Sequence, residues 1–284
     1  MSHQEKSPVL LNAADDPKML AAIKLARQSF RFFWREASWE QRRIIPGLEI
    51  SCVKVAFSDP PGQENPDPDV PRVEQMWIND VNFDGKQLTG TLANQPHWLT
   101  TVNAGDEVTI APKQLSDWMY AIGGVAYGGL TINAMRSNMK KGERKEHDTA
   151  WGMDFGDPNT VRLVPPEYLG KKPAKKGMFG KGAAGKSQTV AEVAAREHPM
   201  AINMKESLEE MLQADPSNAT STDDNGFNIL HSLALAGTAV GVAALLKHGA
   251  DPNTETNNGM TPLKLANSLG WRNVASVLTA AGGR

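Results

Sequence analysis

The sequence predicts an α+β N-terminal domain, with one helix on a mostly antiparallel sheet, followed by an all-α domain built of repeats. Apolar residues recur every three to four positions after Pro17, as on one face of a helix. Two segments in which apolar and polar residues alternate flank Asp84-Gly85, which is typical of a β-hairpin. A motif around Gly226 returns 33 residues later around Gly259, which indicates repeated helical units.

The composition is that of a globular chain. Its 284 residues suffice for two domains, and 40% hydrophobic with 22% charged residues is ordinary for such proteins. The net charge of −2 gives no overall attraction to nucleic acid. No apolar run approaches the ~18 residues of a membrane helix, and the single cysteine, Cys52, fits a reducing compartment. We therefore predict a cytoplasmic protein with no membrane or nucleic-acid partner.

The first predicted element is a long amphipathic helix, because Asp16 can cap it and Pro17 suits its first position. Its apolar stripe consists of Met19, Ile23, Ala26, Phe30, Phe33 and Ala37. After Gly47 the apolar period changes to two, which predicts a strand. The alternating residues of this strand are Val53, Val55 and Phe57.

The remaining elements of the first domain follow from shorter signals. A hairpin is predicted for VEQMWINDV and KQLTGTL, and further strands are predicted for DEVTIAP and GGLTINAM. Between those two strands, Ser116 is predicted to cap a short helix that runs to Met119, with Asp117 as a second capping group. The indoles of Trp77, Trp98 and Trp118 are interpreted as core side chains.

A basic segment separates the two predicted domains. Residues 171–186 contain six lysines, no acidic residue and many glycines, so they can bury little and are predicted to be a flexible linker. The predicted domains are therefore residues 1–170 and 187–284.

The carboxyl-terminal third resembles ankyrin repeats. Residues 261–266, TPLKLA, are similar to the family signature T-P-L-H-x-A and depart from it at Lys264. Residues 245–253, LLKHGADPN, are similar to its inter-repeat turn. The resemblance implies a degenerate capping repeat at 187–218 and two repeats at 223–253 and 256–284.

The ankyrin resemblance implies a protein-binding function without chemistry of its own, through turn tips and a concave helical face. Because about three repeats are needed for stability, this short stack is expected to pack on the first domain. The residues predicted to contact a protein partner are Asn225, Phe227, Asn258, Met260 and Trp271.

The first domain resembles the bacterial YegJ-like family of domains of unknown function across roughly residues 20–135. The segments that carry this resemblance are MWINDV (76–81), GTLANQP (90–96), GDEV (105–108), SDWMY (116–120) and GGLTI (128–132). The resemblance implies a bacterial origin and a small α+β fold, but no mechanism.

One segment matches a nucleotide-binding pattern. Residues 180–187, GKGAAGKS, satisfy G-x-x-x-x-G-K-[ST], in which backbone amides cradle phosphates. That mechanism needs a buried strand leading into the loop, whereas lysines and a proline precede it here. We predict a linker and no cofactor, with nucleotide binding at Lys186 as the alternative.

Other polar groups are interpreted as structural. A mixed-charge segment, predicted to be a solvated loop, contains Glu143, Glu146, His147 and Asp148 and is followed by Asp154 and Asp157. His231 is predicted to bond turn backbone, and Cys52 is predicted to be a buried, inert thiol. No catalytic residue and no metal site are predicted.

We therefore predict a non-catalytic protein-binding protein, and within that class an immunity or adaptor protein that neutralises a cognate toxin or effector. The partner, the surface that binds it and the oligomeric state are left open. The alternative is that the first domain is an enzyme or small-ligand binder positioned by the ankyrin tail. That alternative would be favoured by a pocket joining His97, Asp117 and Trp118.

Overall fold

A computed structural model describes residues 16–170 and 186–284. In the amino-terminal part, helix α1 (Pro17–Glu40) lies on one face of a six-stranded sheet. The strands are β1 (Ile50–Phe57), β2 (Glu74–Phe83), β3 (Leu88–Leu92), β4 (Glu107–Ile110), β5 (Leu115–Ile122) and β6 (Val125–Gly128). Their order is β4-β3-β2-β1-β5-β6, and every neighbouring pair is antiparallel. The predicted fold class is confirmed.

Helix α1 begins as its sequence predicts, and it is anchored to the middle of the sheet. The Asp16 carboxylate accepts a hydrogen bond from the Lys18 amide (2.9 Å), and Pro17 occupies the first turn. Trp118 on β5 donates its indole N–H to the carbonyl of Ala26 and to Ser29 Oγ, both at 3.1 Å. A single buried side chain thereby fixes the helix against the strand.

The predicted helix from Ser116 to Met119 is wrong, because these residues belong to strand β5. Seven of the eight residues of β5 are buried, since α1 covers one face of the strand and a second apolar layer covers the other. A strand buried on both faces lacks the alternation that marks a half-exposed strand, so its pattern is ambiguous in sequence.

The predicted strand GGLTINAM is also wrong, because its main part forms helix α2 (Leu130–Arg136). Gly128 and Gly129, with φ of 76° and 59°, turn the chain out of β6. The Asp117 carboxylate then accepts hydrogen bonds from the amides of Leu130 (2.9 Å) and Thr131 (2.7 Å). Asp117 is therefore a helix cap, as predicted, but it caps α2 from a neighbouring strand.

The mixed-charge segment predicted as a loop forms helix α3 (Lys141–Trp151). Its amino end is closed by Glu143, whose carboxylate accepts a hydrogen bond from the Lys140 amide at 2.7 Å. The helix was missed because its sequence has no apolar stripe, and a contact outside the segment helps to hold it, since Asp148 bonds Arg136 of α2.

The carboxyl-terminal part consists of short antiparallel helices, as the ankyrin resemblance implies. They are α4 (Val190–Ala194), α5 (Pro199–Asn203), α6 (Lys205–Ala214), α7 (Ile229–Leu235), α8 (Ala239–Lys247), α9 (Pro262–Ser268) and α10 (Arg272–Ala280). Asn228 caps α7 and Thr261 caps α9 at equivalent repeat positions. The turns before them contain Gly226 and Gly259 with φ of 77° and 75°, which explains glycine at both.

One cluster of buried apolar side chains extends from the α1–sheet core into the ankyrin helices. The predicted linker lies outside the described residues except for Lys186, so the boundaries at 170 and 187 stay predictions. In the two described ranges, no helix is long and apolar enough to span a bilayer.

Candidate protein-binding cleft

The second half of helix α1 is covered by the ankyrin helices as well as by the sheet. Trp271, at the start of α10, packs edge-on against Phe32 with ring centroids 6.0 Å apart, and its indole donates to the Leu235 carbonyl at 3.0 Å. Arg31 donates to the Gly270 carbonyl at 2.7 Å and lies over the Trp271 ring. These contacts fix the ankyrin stack on the helix.

A buried polar cluster makes a second contact between α1 and the ankyrin cap. Glu36 accepts from His198 Nε2 (3.0 Å) and from Arg43 (2.9 Å), while His198 Nδ1 accepts from the Met200 amide (3.1 Å). This pattern defines a neutral imidazole with its proton on Nε2. Burial lowers the pKa of His198 despite the adjacent carboxylate, which favours that neutral form.

The charge of Glu36 is stabilised by its neighbours. Burial by itself would raise the pKa of Glu36, but the hydrogen bond from His198 and the charge of Arg43 bring it below its ordinary value. Tyr168 adds a longer hydrogen bond from its hydroxyl at 3.4 Å. The cluster therefore holds an ionised carboxylate at the domain junction.

The β2–β3 hairpin makes a third contact, at an ankyrin turn. Asn258 donates to the Asp84 carboxylate at 2.9 Å, and Lys86 donates to the Asn258 carbonyl at 2.5 Å. Between them Gly85, with φ of 93°, approaches the ankyrin helices so closely that a Cβ would lie 2.4 Å from a methyl of Leu265. Part of the ankyrin turn surface is thus occupied by this chain's own hairpin.

These three contacts leave an open cleft between α1, the hairpin and the ankyrin turns. The cleft has a volume of about 510 Å³, and side-chain amides and hydroxyls dominate its lining. The lining residues used below are Trp34, Gln41, Gln87, Asn225, Phe227 and Asn257. Because α1 and the ankyrin repeats each supply one wall, the cleft exists only when the two parts are docked.

An apolar groove of about 550 Å³ adjoins the cleft, and both are lined by Arg42, Asp223 and Phe227. It lies against helix α6 and contains Met204 and Met211, which are 40% and 36% exposed. Flexible methionine side chains on an exposed surface are typical of protein-binding sites.

Comparison with known proteins agrees with this architecture. Residues 16–155 match the family described as an uncharacterized protein conserved in bacteria (DUF2314), and residues 193–283 match ankyrin repeats in three copies. An ankyrin repeat protein of Neisseria meningitidis serogroup B is 39% identical over 270 residues, covering 93% of this chain and 94% of that protein. The chain belongs to this DUF2314–ankyrin family.

The uncharacterized protein YegJ of Escherichia coli K12 is similar to a smaller part of the chain. It is 36% identical over 75 residues, which cover 26% of this chain and 49% of YegJ. The predicted resemblances to YegJ-like domains and to ankyrin repeats are both confirmed. Ankyrin repeats indicate that this family member takes part in protein–protein interaction.

The structure divides the five residues predicted to bind a partner into two groups. Asn225, Phe227 and Asn258 line the cleft, although Asn258 already bonds the hairpin. Met260 and Trp271 are buried, at 7% and 4% exposure, against the hairpin and α1. Those two side chains therefore hold the chain's own parts together, and partner contact by the other three stays a prediction.

Sequence reasoning missed the wall that α1 and the hairpin supply. The cleft is lined by Trp34 on α1, by Gln41 and Arg42 directly after the last residue of α1, and by Gln87 from the hairpin. One signal was available in the sequence: FRFFWREASW (30–39) is too aromatic for a helix with a single apolar face, and in the structure nearly every residue from 29 to 39 is indeed buried. That pattern indicates a helix packed on two sides.

The polar residues considered for chemistry form no ligand cluster within the described ranges. Asp148 on α3 makes two hydrogen bonds with Arg136 (2.9 and 2.7 Å), and His147 Nδ1 lies 3.0 Å from the same carboxylate. His231 bonds the Thr254 carbonyl at 2.8 Å, the turn-backbone role predicted for it. Burial raises the pKa of the Cys52 thiol far above its ordinary range, which makes it a poor nucleophile.

The groups named for the alternative functions lie apart. Trp118 faces α1 and Asp117 faces α2, on opposite sides of the sheet, and His97 is exposed in a loop. Of the GKGAAGKS segment, residues 180–185 lie outside the described residues. Ser187 Oγ accepts from the Val161 amide at 3.1 Å and so contacts the first domain.

Proposed function

We propose that this chain is a non-catalytic protein-binding protein whose partner occupies the cleft between the ankyrin turns, α1 and the hairpin. The observation that carries the proposal is that side chains from all three elements converge on one open cleft while other contacts hold those elements in place. A preformed site binds without the entropic cost of ordering its own walls, which favours tight association.

Within this function we propose that the chain masks its partner as an immunity or adaptor protein, and that the partner is a cognate toxin or effector. Masking requires slow dissociation, and a preformed cleft beside an apolar groove favours it. We further propose that the protein acts in the cytoplasm, where a single reduced thiol such as Cys52 is compatible with the redox conditions.

The binding function is tested by capture from the native host, followed by reconstitution with the purified captured protein. Asn225→Arg places a long charged side chain in the cleft from an exposed turn, and it should lower affinity at least about tenfold. Gln213→Arg on α6 is the matched control, because Gln213 is exposed and lines neither the cleft nor the groove. Equal binding by both variants would contradict the proposed site.

The masking role is tested by co-expressing the captured protein with this chain. If the captured protein is toxic, wild-type chain and Gln213→Arg should restore growth and Asn225→Arg should not. A captured protein that is harmless alone, or whose toxicity the chain leaves unchanged, would contradict the masking role.

A further inference from the structure

We infer that the partner enters the cleft as an extended segment that is held mainly through its peptide backbone. This inference rests on the proposed function, and it adds the chemical group that is recognised. It is carried by the unusual number of side-chain amides in the lining. They are Gln41, Asn82, Gln87, Asn225, Asn257 and Asn258.

Several of these amides are available to a ligand. In the part of the chain that the structure describes, the side chains of Gln41, Gln87 and Asn225 make no hydrogen bond, and all three residues are exposed. Among the described residues, Asn82 bonds through Oδ1 alone, which accepts from the Phe83 amide at 2.9 Å. The available groups come from α1, the hairpin and an ankyrin turn, so they surround the cleft.

A carboxamide offers both a donor and an acceptor, which is the pair of groups that each peptide unit presents. In a helix those backbone groups are bonded to each other, so a helical ligand would leave the cleft amides without partners. In an extended segment the backbone N–H and C=O groups are free along both edges. The lining therefore suits an extended backbone.

A buried donor in the wall supports the same ligand. The Trp34 indole lines the cleft at 4% exposure, and its Nε1–H finds no acceptor among residues 16–170 and 186–284. A buried N–H without an acceptor is costly, so a small shift of the wall that lets a backbone carbonyl of a bound segment reach this N–H would be stabilising. Phe227, half-buried in the same lining, offers an apolar contact for one side chain.

The charged groups of the lining contribute little to ligand choice, because the protein already uses them. Asp223 accepts from the amides of Asn225 and Phe227, and Asp84 accepts from Lys86, Gln87 and Asn258. Arg42 donates to the Ser38 carbonyl at 3.0 Å. Recognition by neutral amides should be insensitive to salt and tolerant of the ligand's charge.

The test selects a peptide from a random twelve-residue display library on the full chain and measures its dissociation constant. Ester analogues that replace single backbone N–H groups by oxygen should weaken binding about fivefold at two or more positions. Gln41→Leu and Gln87→Leu should each lower the affinity for the parent peptide by a similar factor, and Gln213→Leu should leave that affinity unchanged. Raising salt from 0.1 to 0.5 M should change the affinity less than twofold.

Selected peptides that bind as helices, ester analogues that all bind normally, or indifference to both cleft variants would each overturn the inference. So would a library that yields no binder while the captured host protein still loses affinity with Asn225→Arg. In that last case the proposed function stands and only the extended mode fails. Failure to capture a host protein, by contrast, counts against the proposed function, while the peptide measurements still decide whether the cleft binds an extended backbone.

Discussion

At the scale of single residues, the position of one carboxylate explains a local structure that its own segment does not encode. Asp117 is fully buried, and burial raises its pKa even though hydrogen bonds from Thr131 oppose the shift. It accepts from the amides of Trp118, Leu130 and Thr131 and from the Thr131 hydroxyl. The start of α2 therefore depends on a side chain thirteen residues earlier.

We predict that Asp117→Ala lowers the free energy of unfolding by about 2–4 kcal/mol, because it leaves the buried amides of Leu130 and Thr131 without an acceptor. Urea unfolding followed by circular dichroism measures the change. Glu146→Ala on the exposed side of α3 is the control, and it should change stability by less than about 0.5 kcal/mol. A similarly small effect at Asp117 would contradict the capping role.

At the scale of elements, the sequence predicted those whose signals are local. Helix α1 has its cap and proline, the β2–β3 hairpin has Asp84-Gly85, and the ankyrin helices have a repeated motif. Strand β5 was predicted as a helix and helix α2 as a strand, because both elements depend on distant contacts. Burial on two faces removed the alternation of β5, and the cap of α2 lies on another strand.

The candidate site shows the same division. Asn225, Phe227 and Asn258 could be proposed from the sequence because they belong to a recognisable turn. The residues of the α1 and hairpin walls have no such signal, because they form a wall only where the ankyrin stack docks. Trp271 was assigned to a partner because an exposed and a docked tryptophan have the same sequence signal. Only tertiary packing distinguishes them.

The hairpin contact predicts a specific glycine effect. Gly85→Ala should lower the free energy of unfolding by roughly 1–3 kcal/mol, from the positive φ together with the clash with Leu265. Gly105→Ala shares the positive φ, 90°, but a Cβ there would have no atom of the described ranges within 4 Å. The loss at Gly85 should exceed the loss at Gly105 in matched urea titrations. Equal losses would show that the hairpin does not press on the ankyrin helices.

The Glu36–His198 contact between α1 and the ankyrin cap predicts a pH dependence. Because the folded pKa of His198 lies below its ordinary 6.5, the unfolded chain binds more protons, and stability should fall as pH drops through that value. Because the pKa of Glu36 is also lowered, the loss of stability continues as the pH falls below about 4.5, the ordinary pKa of a glutamate. The expected result is a steeper decline of melting temperature from pH 7.5 to 5.5 than in His198→Gln, which keeps a donor for Glu36 but does not titrate.

The control for that comparison is His97→Gln, which removes an exposed imidazole and should preserve the wild-type slope. If His198→Gln and wild type declined in parallel, the buried pair would not be the source of the acid sensitivity.

At the scale of the whole molecule, the two halves form one continuous apolar core and share the cleft between them. Part of the ankyrin surface packs against the chain's own N-terminal domain through Trp271 and Asn258. These contacts hold the remaining ankyrin surface in place opposite α1. The recognition site proposed for this family member is therefore a joint product of both halves.

Site-specific photocrosslinking in the native host tests that claim most directly. Benzoylphenylalanine at Gln41, on the α1 wall of the cleft, should form a covalent adduct with one partner protein that mass spectrometry identifies. The same group at Gln213, outside the cleft and the groove, should not form that adduct. A partner that crosslinks equally at both positions, or only at Gln213, would contradict the assignment of the cleft as the binding site.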